Sequence, residues 1–194
     1  MAKFDGLDAA ALPVRQLMAD DVPDAAGFRP VRPEFATYWK RGRILREVKA
    51  DVCQCWYVQH SAALGGYITL LADRFTADEA LLAGEGIKYE GFPAIRIGLL
   101  AADERAKGAG KRLVMWALDY MVTVLAPSVG VRFATVDALF DPDTGYDTAG
   151  FYTKFGFARA REQFQPDKER PYRTMYLDLK PLLDTRRAFL ESAG

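Results

Sequence analysis

Histidine and cysteine are nearly missing from this chain of 194 residues, which has one His, His60, and two Cys, Cys53 and Cys55. A nucleophilic triad would have to use His60, and nothing in the sequence pairs it with a nucleophile, so hydrolase chemistry has no support. Zinc is served no better, because its sites draw three or four ligands from His, Cys and carboxylates. In DVCQCWYVQH, strand alternation sends the side chains of Cys53 and Cys55 to one face, where neighbours two apart rarely reach disulfide geometry. They read as buried thiols of a reduced compartment, and no metal site is expected. No apolar run reaches the roughly 18 residues of a membrane span. The opening MAKFDGLDAA has no apolar signal core, so the expected compartment is the cytoplasm. An excess of one charge is lacking too. The 26 basic side chains face 26 acidic ones, which gives no general affinity for nucleic acid or an anionic membrane.

What is present is a core. Half the residues are hydrophobic, enough for a single domain over 1–194, and there are no repeats or low-complexity stretches. Its expected parts are a helical N-terminal part over 1–50, a sheet with a ligand turn over 51–125, further strands and a helix over 126–180, and a tail over 181–194. Residues 7–20 read as partly helical around Pro13, residues 21–33 as irregular, and Glu34–Val48 as one helix with a basic solvated face. Asp51–His60 and Ala62–Leu71 read as a hairpin with a bulge or a close backbone approach at Gly65-Gly66. A capping box places a short helix over Thr76–Ala83, with GEGIKYEGFP after it as a loop. Val131–Leu139 reads as a strand buried on both faces. Thr148–Phe155 reads as a short helix closed by Gly156. Phe157–Phe164 and Tyr172–Leu179 are the last strands, and Lys180–Gly194 is a short helix or a frayed tail.

The chain is organised around AIRIGLLAADERAKGAGKRLVMWALDY, residues 94–120. An apolar strand to Ala102 leads through a charged turn into a helix over about Gly110–Leu125 that stops before Pro127. Amides at a helix N-terminus lack intrahelical acceptors and sit at the positive end of the macrodipole, so such a turn suits a phosphate or pyrophosphate. Gly108 and Gly110 remove side chains that would block close approach, and Arg105, Lys107, Lys111 and Arg112 add positive charge. The turn is neither a Walker loop, which needs Gly-Lys-Ser/Thr, nor a good dinucleotide fingerprint, because two paired strands precede it without a crossover.

Taken in order, IRIGLLAAD, RAKGAGKRL, VRFATVDA, GFYTKFGF and RTMYLDLK resemble the GNAT superfamily of acetyl-CoA-dependent acyltransferases over roughly residues 50–180. The resemblance implies an α/β GNAT acyltransferase fold: a mixed, mostly antiparallel central sheet flanked by helices, with CoA held at the strand–glycine turn–helix. It implies that the backbone of Leu99, Leu100, Ala101 and Ala102 contacts the pantetheine. The pyrophosphate falls on Arg105, Lys107, Gly108, Ala109, Gly110, Lys111 and Arg112. Two registers fit the motif. The one that starts at Arg105 satisfies it fully, whereas the one that starts at Lys107 puts Arg112 where a small residue is expected. The tyrosine of FYxKxGF is Tyr152, which the resemblance casts as general acid to the CoA sulfur. Glu90 is a candidate general base, with Asp137 and Asp147 as others, and each is as readily a loop or capping carboxylate.

The implied activity is transfer of acetyl from acetyl-CoA to a primary amine on a small-molecule, peptide or aminoacyl acceptor. FPAIRIG, FYTKFGF and RTMYLDL also resemble the branch that acetylates aminoacyl-tRNA as a toxin, although those chains tend to be smaller and basic. A CoA-binding sensor or scaffold without catalysis and an ATP-binding protein are the competing classes. The final strands leave an edge that a second copy of the chain could cover.

Overall fold

A computed structural model of the chain describes residues 4, 8–76, 82–87, 89, 91–160 and 171–193. Its strands are β1 (Arg15–Gln16), β2 (Gln54–His60), β3 (Ala63–Phe75), β4 (Phe92–Ala102), β5 (Phe133–Asp141), β6 (Tyr146–Asp147), β7 (Ala158–Arg159) and β8 (Tyr172–Asp178). The helices are α1 (Pro33–Lys40), α2 (Arg43–Lys49), α3 (Ala109–Tyr120), α4 (Ala126–Val129), α5 (Ala149–Thr153) and α6 (Lys180–Ala193). The strands form one sheet in the order β1-β2-β3-β4-β5-β8-β7, with β6 on β5. The pairs β1/β2, β2/β3, β5/β6, β5/β8 and β7/β8 are antiparallel. This is the expected α/β architecture with a mostly antiparallel sheet.

The chain divides into two compact units. The first comprises residues 1–71 and 97–118 and holds β1, β2, α1 and α2 with most of β3, the end of β4 and most of α3. Its core is aromatic. Tyr57 and Tyr67 are fully buried, the Trp39 ring lies 5.0 Å from that of Tyr67, and the Tyr67 hydroxyl donates to the Phe35 carbonyl at 2.9 Å. That hydrogen bond offsets the cost of burying a phenol. The hairpin β2–β3 turns on Ser61 and Ala62, both left-handed with φ of 47° and 65°, which matches strand twist without the usual glycine. Val58 pairs with Gly66 and Gln59 with Leu64, so Gly65 is the extra residue of a bulge. Gly66 supplies a close approach as well: a Cβ there would lie 2.9 Å from the Ala101 carbonyl oxygen and 3.2 Å from the Ala102 Cα. Both devices expected at the glycine pair occur, one on each residue.

The second unit comprises residues 72–96 and 119–194. Phe75, Leu82, Phe92, Ala94 and Phe133 form its apolar cluster, with Tyr176 packed against it. Arg132 ties its elements together, donating to Asp178 at 2.7 Å through Nε and to Glu85 at 2.9 Å through Nη2.

Three expectations need correction. Residues 9–11 form a single 3-10 turn and Arg15–Gln16 a strand paired with Tyr57 and Trp56, because a cross-strand partner outweighs weak helical propensity. Glu34–Val48 is two helices rather than one, since Gly42 is left-handed with φ of 65° between α1 and α2. The helix from Ala109 does not stop before Pro127; it passes through a π-helical segment, Met121–Leu125, into α4, with Pro127 in the first turn of α4. Proline offers no N–H to the preceding turn, and the π-helical segment directly before α4 is where the hydrogen-bond ladder shifts. By length and composition the helix through Ala109–Val129 could cross a membrane. Its buried Leu113, Val114, Ala117 and Met121 recur at helical spacing, as in a core helix. The capping-box helix falls mostly on residues 77–81, outside the described residues, as does 161–164 of the expected strand Phe157–Phe164. The tail is helical as α6.

Gly66→Ala is expected to destabilise the fold by about 1–3 kcal/mol, because the opposing atoms are backbone. Gly150→Ala, within α5 and with nothing within 4 Å of the added Cβ, is expected to be neutral or stabilising by up to about 1 kcal/mol. Urea unfolding of the two variants checks the contrast, and equal effects would contradict the close approach.

Candidate active site

The glycine turn is built from the end of β4, the turn itself and the start of α3, all within the first unit. Its anchor is Asp103, whose side chain is fully buried. One carboxylate oxygen accepts from the Arg105 amide at 3.0 Å and from Arg105 Nε at 2.8 Å. The other accepts from the Arg29 amide at 2.9 Å and from Arg105 Nη2 at 2.7 Å. The Asp103 amide donates to the Gly65 carbonyl at 2.9 Å. Burial alone would push the carboxyl up, but the hydrogen bonds from the Arg105 side chain and amide and from the Arg29 amide outweigh it. The group titrates below its ordinary value.

Beyond this anchor Ala106 and Ala109 are buried, while Lys107, Gly108 and Lys111 are exposed. Gly108 is left-handed with φ of 89°, a conformation that favours glycine, and its carbonyl accepts the first α-helical bond, from the Arg112 amide at 2.9 Å. The amides of the first turn of α3 thus lack intrahelical acceptors at a surface free of side chains at Gly108 and Gly110. Of the four expected cations, two are otherwise engaged. Arg105 is turned back onto Asp103 and the Gly27 carbonyl, the latter at 2.6 Å. Arg112 Nε donates to the Leu12 carbonyl at 3.3 Å. Lys107 and Lys111 remain as exposed cations.

Leu99, Leu100, Ala101 and Ala102 close β4, with Ala101 buried and the others half-buried. The Leu99 amide donates to Thr69 Oγ1 at 2.8 Å. Thr69 is therefore a determinant of this strand that sequence reading missed, since its partner lies thirty residues away.

Tyr152 belongs to the second unit and is one of two buried residues of α5. Its ring packs edge-on against Phe151 and Phe157, with centroids at 5.2 and 5.8 Å. Burial first, then the nearby Tyr146, pushes its pKa well above the ordinary phenol value, so it stays protonated throughout the neutral range. Gly156 follows with φ of 89°, as the sequence requires. Asp147 accepts from the Ala149 amide at 2.8 Å and pairs with Arg173 at 3.2 Å, the work of a capping carboxylate. Asp137 accepts from Arg96 at 2.9 Å and from Thr174 at 2.8 Å. Glu90 lies outside the described residues. Cys53 and Cys55 are free and buried, and among the described residues no cluster suits a metal ion.

No family model matches the chain, and no curated protein matches it. Solved structures do match in fold. AtaT complexed with acetyl-methionyl-tRNAfMet superposes with a TM-score of 0.72 at 18% identity, over 88% of this chain and 96% of that one. A tyrosine-to-phenylalanine mutant of KacT gives 0.72 at 19% identity, over 90% and 98%. AtaTR bound with AcCoA gives 0.66 at 19% identity, over 88% and 95%. The chain therefore shares the fold of these solved structures.

Asp103→Asn is expected to cost about 2–4 kcal/mol, since a buried charged acceptor of Arg105 is lost. A carboxyl with a depressed native pKa stabilises the fold above its unfolded value of about 3.9 and stops doing so as pH falls through the native value. The stability gap between wild type and variant, from urea unfolding at a series of pH values, therefore closes only in acid. A gap independent of pH would contradict the anchor.

Proposed function

We propose that the chain is an acetyl-CoA-dependent N-acetyltransferase acting by direct attack of a primary amine on the thioester. The observation that carries this reading is the turn: a left-handed Gly108, first-turn amides of α3 without intrahelical acceptors, and exposed Lys107 and Lys111, within a fold shared with a protein bound to acetyl-CoA. The CoA pyrophosphate sits on amides between Lys107 and Arg112, in the register that starts at Arg105. Arg105 then acts through Asp103, as a brace of the turn rather than as a phosphate ligand. Leu99–Ala102 line the pantetheine, and Thr69 fixes the orientation of the Leu99 amide.

Acyl transfer needs a neutral amine, a stabilised oxyanion and a protonated leaving thiolate. Tyr152 serves the last of these. Its raised pKa keeps it protonated until the C–S bond breaks. It then gives its proton to the departing sulfur and regains one, the proton that the attacking nitrogen releases as the amide forms. Glu90 remains the candidate base, and water relay to bulk is the route that needs no such residue. The acceptor is an amine on a small molecule, a peptide or an aminoacyl group. An aminoacyl-tRNA acceptor is the second reading, favoured by the AtaT complex with acetyl-methionyl-tRNAfMet. The zero formal net charge of this chain favours the smaller acceptors.

Melting with acetyl-CoA, ATP or NAD present, followed by a thiol-release assay over amines, peptides and aminoacyl-tRNA, tests the proposal. Stabilisation by acetyl-CoA above the other two and release with at least one acceptor are expected. Binding without release for any acceptor would identify a sensor or scaffold instead. Tyr152→Phe is expected to leave acetyl-CoA stabilisation intact and lower turnover about 10²-fold. Unchanged turnover with the true acceptor would remove Tyr152 from the reaction.

A further inference from the structure

A cavity of about 260 Å³ opens within the second unit, and arginine dominates its wall: Arg74, Arg96, Arg159 and Arg173 stand against one lining carboxylate, Asp73. Arg96 is internally satisfied. It donates to Asp73 at 3.0 and 3.2 Å through Nε and Nη2 and to Asp137 at 2.9 Å through Nη1. Thr135 and Thr174 complete that network, donating to Asp73 at 2.6 Å and to Asp137 at 2.8 Å. Both carboxylates are thus occupied by Arg96 and the two threonines.

Arg173 and Arg159 supply the N–H donors that face the cavity. Arg173 is 11% exposed, donates to Asp147 at 3.2 Å through Nε alone, and lies 4.6 Å over the Phe140 ring. These contacts fix the guanidinium plane and leave both Nη groups without an acceptor among the described residues. Arg159 stands on β7, the edge strand, exposed and with no acidic partner among the described residues. Thr76 and Tyr172 add hydroxyls to the lining.

We propose that this cavity binds a phosphate group, as the free ion or as an ester on a larger molecule. Guanidinium forks match phosphate oxygens in pairs, and a half-desolvated wall strengthens such bonds. The volume equals about nine waters at ~30 Å³ each, room for a phosphate and part of its carrier. The same wall repels a bare cationic amine. The site stands whether or not the chain transfers acyl groups, because none of its lining residues belongs to the glycine turn.

Isothermal titration of the full chain with inorganic phosphate, ribose 5-phosphate, ribose and a trinucleotide without terminal phosphates tests the site. Phosphate is expected to bind and ribose not to bind. Arg159→Gln, an exposed change that leaves the fold intact, weakens phosphate about tenfold, the worth of one charge-assisted hydrogen bond. Arg159→Lys retains most of the affinity, and acetyl-CoA stabilisation is the same in all three proteins. Preference for ribose 5-phosphate identifies a monoester as the source, and preference for the trinucleotide identifies a nucleic-acid backbone. Absence of phosphate binding, equal affinity in Arg159→Gln, or loss of phosphate binding at saturating acetyl-CoA would each overturn the proposal.

Discussion

The carboxylate of Asp103 is shut off from solvent, and a buried charge persists only where hydrogen bonds replace its lost hydration. Those bonds come from two separate places: the Arg105 side chain and amide reach it from the turn, and the Arg29 amide from the irregular N-terminal segment. The backbone amide of Asp103 adds a tie to Gly65 in the bulged hairpin. One anion therefore fixes the entry of the chain into α3. The direction in which the first amides of α3 point follows from that entry, and so does the left-handed turn at Gly108. The close approach at Gly66 serves the same arrangement, since a side chain there would drive Ala101 and Ala102 away.

This constraint explains why positive charge near the turn divides into two classes. Arg105 pairs with the buried anion and the Gly27 carbonyl, and Arg112 reaches a carbonyl of the N-terminal segment. Lys107 and Lys111 stay exposed. On the reading proposed above, a pyrophosphate at this turn rests mainly on backbone amides and the two exposed ammonium groups, which suits a cosubstrate that must leave after each turnover. Tyr152 represents a different use of burial. Its apolar cage holds the phenol protonated, whereas the polar cage of Asp103 holds a carboxyl ionised.

The parts that were legible in the sequence are those whose cause is local. The strand–glycine turn–helix, the glycine pair in the hairpin and the left-handed Gly156 each depend on residues within a few positions of one another. The misread parts depend on distant partners or on small departures from ideal geometry. β1 exists because Tyr57 and Trp56 offer it a ladder, and nothing within residues 7–20 announces that. The break at Gly42 and the continuation through Pro127 turn on single backbone conformations. In the candidate site, the glycines declared themselves, but the contacts of Arg105 with Asp103 and of Thr69 with Leu99 did not, since nothing in the local pattern fixes where those side chains turn. The arginine-lined cavity gathers residues from β3, β4, β5, β7 and β8, so no stretch of sequence could have displayed it.

The central claim is that backbone amides between Lys107 and Arg112 hold the pyrophosphate of CoA. Amide hydrogen exchange, resolved to single residues with and without acetyl-CoA, tests it most directly. The account predicts that acetyl-CoA slows exchange at Lys107, Gly108, Gly110 and Lys111 more than elsewhere on α3. Stabilisation of the chain by acetyl-CoA with no added protection at those amides would contradict it.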